Sequence, residues 1–325
     1  MHASIARSTI ARPGCIVAAG LLAFALPASA QDYPSKPIRI VTAAAGGGSD
    51  FVARLLAQGI SGPLGQPVVV ENRGTGMLAG EVAARAPADG YNLTVQGGAF
   101  WIGPLLRKAP YDPIADFTPV SLIVREVNVL AVNPTLPVKS LADLIAFARA
   151  NPGKLNYSSP GVGSTTHLAT ELLNSMAGTR MVHVPYQGNQ KAIAGVMANE
   201  VQLAIFDAGL LAPFIQSGKL RALGSTSLDP SPLAPGMQPL AAQGLPGFES
   251  IGLTGVLASG KVSPAIIARL NQEIVRYINR PEVKEQFLKS GVELVGSTPD
   301  QFAQAMRDER AKMGKLITDL KLKIE

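Results

Sequence analysis

IRIVTAAAGGGSDFVARLL, residues 38–56, is the stretch around which the rest of the chain is arranged. Ile38, Ile40 and Val41 read as a buried strand, Ala43 to Gly48 as a loop of small residues, and the remainder as a helix. Gly46, Gly47 and Gly48 let the backbone turn where side chains would clash. Ser49 or Asp50 is expected to cap the helix. A helix start leaves unpaired N–H groups and a partial positive charge, so Ala44 to Ser49 is a candidate anion site.

A second unit with the same grammar lies further on. Leu155 to Ser158 is a short strand, Ser159-Pro160-Gly161-Val162-Gly163 a loop, and Ser164-Thr165-Thr166 opens a helix. Capping by Ser164 alone would also account for this loop. The pairing of the two loops raises both, since two facing halves could clamp one anion between two positive helix ends. Other strands also end where a ligand could sit. The strand at 66–71 leads to a turn with Thr75, the strand at 92–96 to Gly97-Gly98, the strand at 182–184 to Tyr186, and the strand at 201–205 to Asp207. Strands alternating with helices predict an α/β protein with mostly parallel sheets, ligands lying beyond the carboxyl ends of the strands. Two long apolar runs, 120–132 and 248–257, are the expected crossings between two lobes. Three helices close the chain, the first opened by Ser263-Pro264 and the last by a Thr298…Gln301 capping box.

The first thirty of the 325 residues read as an export signal. Arg7 and Arg12 precede an apolar core, and Ala28-Ser29-Ala30 supplies the cleavage pattern, with release expected after Ala30. The only cysteine, Cys15, leaves with it, so no disulfide or thiol chemistry is expected. Loss of Arg7 and Arg12 lowers the formal charge from +6 to +4, a modest excess that suits an anionic ligand. The chain has no dense Lys/Arg cluster and few aromatics, which excludes nucleic acid as the expected partner.

Catalytic patterns are thin. Strand, G-x-G, helix and a later strand ending in Glu71 resemble a dinucleotide site, but Phe51 stands where the third glycine should be. No glycine run is followed by Lys-Ser/Thr, and Ser164 lies in G-x-G-S-T rather than a nucleophile elbow. His167 and Glu171 sit four apart on one helix, yet two ligands make no metal site, and packed histidines are the expectation at 167 and 183. For Asp207, helix capping and ligand contact stand level. For Phe100 and Trp101, packing leads over lining a pocket.

Taken together these motifs resemble the solute-binding proteins of tripartite tricarboxylate transporters, the TctC-like or Bug family. The resemblance rests on Tyr33-Pro34-Ser35-Lys36-Pro37-Ile38, the Gly46–Asp50 loop, Gly65-Gln66-Pro67-Val68-Val69-Val70-Glu71-Asn72-Arg73 and Ala88-Asp89-Gly90-Tyr91. It continues through Pro110-Tyr111-Asp112-Pro113, Pro152-Gly153-Lys154-Leu155-Asn156-Tyr157, His183-Val184-Pro185-Tyr186, Gly218-Lys219-Leu220-Arg221-Ala222-Leu223 and Gly244-Leu245-Pro246-Gly247-Phe248-Glu249. The ordered set covers the chain from about residue 33 onward.

The resemblance implies a two-lobed periplasmic binding protein, each lobe a mostly parallel sheet flanked by helices, joined by two crossing strands. Lobe one would take residues 31–131 and 252–325, and lobe two residues 132–251. It implies a monomer without cofactor, metal or enzymatic activity, closing on a small carboxylate and delivering it to membrane permease subunits. Ligand contacts carry over to Ala44, Gly46, Gly47, Gly48, Ser49, Thr75, Gly98, Ser159, Gly161, Gly163, Ser164, Thr165, Tyr186 and Asp207. Ala43-Ala44-Ala45 departs from the family's usual aromatic and prolines. With Phe100 or Trp101 nearby, that room points to a bulkier or aromatic acid. An exported oxidoreductase and a ligand sensor for a membrane receptor are the rival functions.

Overall fold

Among the described residues ten strands form a single curled sheet in the order β2-β1-β3-β9-β4-β7-β5-β6, with β10 and β8 also paired to β4. The computed structural model describes Met1, His2 and residues 33–289 and 291–322; the expected export signal and its cleavage site lie outside the described residues. In the first half, β1 (Ile38–Thr42), β2 (Val68–Asn72) and β3 (Asn92–Gly97) are mutually parallel. Each runs into a helix: α1 (Gly48–Leu64), α2 (Gly76–Ala84) and α3 (Gly98–Leu106). The second half repeats this with β5 (Asn156–Ser159), β6 (Val182–Pro185) and β7 (Leu203–Asp207), followed by α5 (Thr165–Ala177), α6 (Asn189–Met197) and α7 (Ala208–Gln216). The expected parallel α/β units are there, and the strands that join them are antiparallel to their neighbours.

The joint is β4 (Phe117–Val132), sixteen residues long. Its first part lies between β9 (Ile251–Ser259) and the two-residue β10 (Glu293–Leu294), its last part between β7 and β8 (Arg221–Ser225). α4 (Leu141–Ala150) follows β4, with Ser140 capping it through the Asp143 N–H at 3.1 Å. Around β9 and the end of the chain pack α8 (Pro264–Ile278), α9 (Pro281–Lys289) and α10 (Pro299–Asp319).

Burial follows the two periodicities. Ile38, Ile40, Leu93, Val95 and Val256 meet Val52, Leu56 and Ile60 of α1 and Ile267, Leu270 and Ile274 of α8, all fully or almost fully buried. The opposite sheet face carries Trp101, Leu122, Leu257, Phe302 and Met306, and this cluster continues through Leu130, Tyr157 and Leu168 of the second half. Phe302 fills the space that Gly255 leaves, where a Cβ would come within 2.3 Å of its ring. A third cluster, with Val129, Ala204 and Phe206, packs under α6 and α7.

The helix over Gly98–Leu106 was not expected, since Gly97-Gly98 reads as a loop. Packing is the outcome for its aromatics, as the leading reading has it: Phe100 is 2% exposed and stacked on Tyr111 at 4.7 Å, and Trp101 is fully buried against Phe302. They are core, which removes the aromatic wall expected beside Ala43–Ala45. Among the described residues no helix is long and apolar enough to cross a membrane.

Candidate functional site

Strand register defines where a ligand can lie. β3 and β4 are both antiparallel to β9, so they run the same way, while β7 runs against β4. Gly97 is level with Thr254, and Thr254 with Val124, whereas Asp207 is level with Asn128. The carboxyl ends of the two parallel sets therefore arrive at β4 from opposite directions, four residues apart, or about 13 Å at the usual strand rise. The α1 start at Gly48 and the α7 start at Asp207 lie by this stretch of β4, and Glu126 stands midway along it.

At the first loop, Ala44, Gly46, Gly47 and Gly48 are exposed and Ser49 is half-buried. The helix cap is not Ser49 or Asp50 but Gly47, which uses no side chain. Asp50 instead clamps the loop, accepting from the Gly46 N–H at 2.8 Å and from Asn72 Nδ2 at 2.8 Å. Asn72 also donates to the Ala43 carbonyl at 2.8 Å, and Arg54 pairs with the Asp50 carboxylate. Burial works against the Asp50 charge, but the donors Arg54, Gly46 and Asn72 outweigh it and hold the carboxyl below its ordinary pKa. The Gly46 amide is thus taken by Asp50, and the Gly47 amide bonds back to Ala44. Among the described residues the amides of Gly48 and Ser49 have no partner, and these remain for an anion.

At the second loop Ser164 caps α5 as expected, accepting from the His167 N–H at 3.2 Å. The Gly161 amide bonds to Ser159 Oγ at 3.2 Å and the Gly163 amide to His167 Nδ1 at 3.1 Å. Ser159 is buried and its hydroxyl is also joined to His183 Nε2 at 2.7 Å, so it braces the loop from beneath rather than meeting a ligand. Thr165 is exposed, and the amides of Thr165 and Thr166 have no partner among the described residues.

Below the loop His167 and His183 stack at 4.0 Å, with Tyr157 beside them. Burial, reinforced by His183, pushes His167 down to about 4, and burial lowers His183 as well. Glu171 accepts from the Tyr157 hydroxyl instead of sharing a ligand with His167.

The remaining expected residues divide. Thr75 is exposed and caps α2 through the Leu78 N–H at 3.2 Å. Asp207 is half-buried and caps α7, accepting from the Leu210 N–H at 3.1 Å; burial raises its pKa against the pull of the Leu210 and Gly209 amides. Gly98 does not join the site. It is buried, and a Cβ there would lie 3.1 Å from Glu309 Oε1, so the α3 start already faces an acid from α10. Burial pushes that acid, which accepts from Trp101 Nε1, up to about 7. The Tyr186 hydroxyl is also withdrawn: its ring lies on Gly195 of α6 and it donates to Glu200 at 3.0 Å.

Sequence reasoning missed Asn72 and Glu126 and gave Asp50 the wrong role. Asn72 and Asp50 fix the first loop, and Glu126 sits beside the α1 start. The signal for Glu126 was there as a charged pair, Arg125-Glu126, interrupting a long apolar strand; alternation sends the two to opposite faces.

The family described as "Tripartite tricarboxylate transporter family receptor", TctC, matches residues 52–322. The chain belongs to the TctC family. A relative named BugT from Bordetella pertussis is 33% identical over 316 residues, covering 95% of this chain and 96% of that protein. Another, from a tcbD–tcbE intergenic region of a Pseudomonas strain, is 34% identical over 89% of this chain and 88% of its own length. Among solved structures, a Rhodopseudomonas palustris protein with adipate is 32% identical with a TM-score of 0.75, covering 88% of this chain and 98% of that one. MatC from the same organism, with bound malate, is 26% identical with a TM-score of 0.72, covering 88% and 100%. A structure of the periplasmic binding protein BugD is 26% identical with a TM-score of 0.72, covering 90% of this chain and 100% of that one, and this TctC-family chain is likewise a two-lobed solute-binding protein, not an enzyme. That disposes of the oxidoreductase suggested by the Gly-rich first loop.

Proposed function

We propose that this TctC-family protein captures a small carboxylate between its two sets of strand ends and delivers it to the membrane permease of a tripartite transporter. The observation that carries this reading is the pair of unpartnered helix starts, Gly48–Ser49 and Thr165–Thr166, at the carboxyl ends of parallel strands in the two halves. A carboxylate held by such N–H groups gains charge-assisted bonds of about 1.5–3 kcal/mol each. The adipate- and malate-bound relatives support the ligand class, and the family description supports the transporter partner.

In this reading lobe one is residues 31–131 with 252–325 and lobe two residues 132–251. They close about β4 and the start of β9, and the chain works as a monomer in the periplasm after cleavage at Ala30. Exposed Gly and Ala at the first loop leave selectivity to groups deeper in the cleft. Native mass spectrometry of protein purified from its source should show one co-purified organic acid. Absence of any such acid, together with no thermal stabilisation by mono-, di- or tricarboxylates, would overturn the proposal.

A further inference from the structure

Glu126 is not explained by a cleft built only to attract anions. It lies on β4 opposite Gly252 and two residues before Asn128, the partner of Asp207. Its Oε1 stands 3.9 Å from where a Cβ on Gly48 would be, at the start of α1. A Cβ on Gly252 would fall 2.6 Å from its Oε2, so the glycine leaves the carboxyl its room. The side chain is half-buried, and among the described residues it has no hydrogen bond or ion pair.

Every element around it withholds a cation. On β4 the neighbouring Arg125 points to the opposite face, where with Glu249 and Lys312 it lines a separate cavity of about 370 Å³. β9 offers Gly252. The charged pair on α1, Asp50 and Arg54, is engaged with Gly46 and Asn72. β7 ends in Asp207, a second acid; burial, and after it the Asp207 charge, pushes Glu126 up to about 7. An unpaired, half-buried carboxyl beside another carboxylate is costly, and a bound dianion alone would worsen the repulsion. A ligand with an acid group at one end and a cationic nitrogen at the other satisfies both halves of the site.

We propose that Glu126 is a specificity-determining residue: with Asp207 it receives an ammonium group, and the ligand is a small amino carboxylate whose acid group lies on the α1 start. The proposal rests on the carboxylate reading above and narrows it. The ammonium requires Glu126 ionised, so binding near neutral pH expels its proton.

Isothermal titration calorimetry with matched pairs tests this, using glutarate against glutamate and adipate against 2-aminoadipate, in wild type, Glu126→Gln and Gly252→Ala. In wild type the amino acid of a pair should bind at least tenfold tighter than its desamino partner. Glu126→Gln should shrink that ratio to about threefold or less, and Gly252→Ala, which displaces the carboxyl without removing it, should shrink it too. Titration at pH 6.5 in buffers of different ionisation heat should show proton release in wild type and none in Glu126→Gln. Binding of the desamino acids alone, equal binding of both, or a preference that survives Glu126→Gln would overturn the role of Glu126 while the carboxylate reading stands. Binding of neither class to wild type would overturn both.

Discussion

His167 offers a test in which local packing is read through pH. Its ring is 3% exposed, stacked on His183 at 4.0 Å, and its Nδ1 accepts the Gly163 N–H, so protonation costs both a buried charge and a loop contact. Folding lowers its pKa to about 4, against about 6.5 in an unfolded chain. The unfolded state therefore takes up a proton first as pH falls, and the native state loses stability between about pH 6.5 and pH 4, with none lost above that window. At pH 5 the linkage amounts to about 2 kcal/mol.

Glu126, Glu309 and Asp207 titrate in the opposite sense, their pKa values raised by burial, so the total pH dependence of the protein would mask this component. The His167→Asn variant isolates it. Asparagine's carbonyl can take the Gly163 N–H but does not titrate. Urea unfolding of both proteins at pH 8 and pH 5 should show wild type losing about 2 kcal/mol more than the variant over that interval. The packing cost of the substitution is common to both pH values and cancels in that comparison. Parallel losses would refute the assignment, as would an NMR titration in which the His167 ring protonates near pH 6.5.

Two further outcomes follow from contacts outside the histidine stack. Asn72→Ala removes the donor shared by Ala43 and Asp50; stability measured by urea unfolding should fall by about 1–3 kcal/mol, and affinity for any acid bound at the first loop should fall with it. Gly255→Ala drives a methyl into the Phe302 ring across the β9–α10 contact, and should lower stability by about 1–3 kcal/mol in the same assay, whereas Gly62→Ala, where a Cβ meets nothing within 4 Å, should not.

Much of the fold was legible because it depends on local rules. The Ile38–Val41 strand, the Ser140, Ser164 and Thr298 caps and the alternating elements follow from period and capping chemistry, which act within a few residues. α3 was not legible: Gly98-Ala99-Phe100-Trp101-Ile102-Gly103-Pro104 is apolar on every side and carries no helical stripe, and its helix is held by burial between the sheet and α10. The site was legible only to the level of its loops. Which amides remain open depends on where Asp50, Ser159 and His167 point, and those side chains are placed by partners 10 to 24 residues away or by bonds across their own turn. The Tyr186 hydroxyl and the Gly98 helix start are engaged away from the loops for the same reason, each being met by a side chain, Glu200 or Glu309, that the loop sequence does not contain.

The position of β4 also bears on how this protein can be divided. It is an inner strand twice over, flanked by β9 and β10 at one end and by β7 and β8 at the other. A fragment cut at residue 132 to give the second half alone would leave β7 and β8 with bare facing edges and no strand between them. Such edges recruit other chains. The halves look like modules in outline, yet neither can be expressed, swapped or inherited as a unit unless β4 goes with it, and β4 can go with only one.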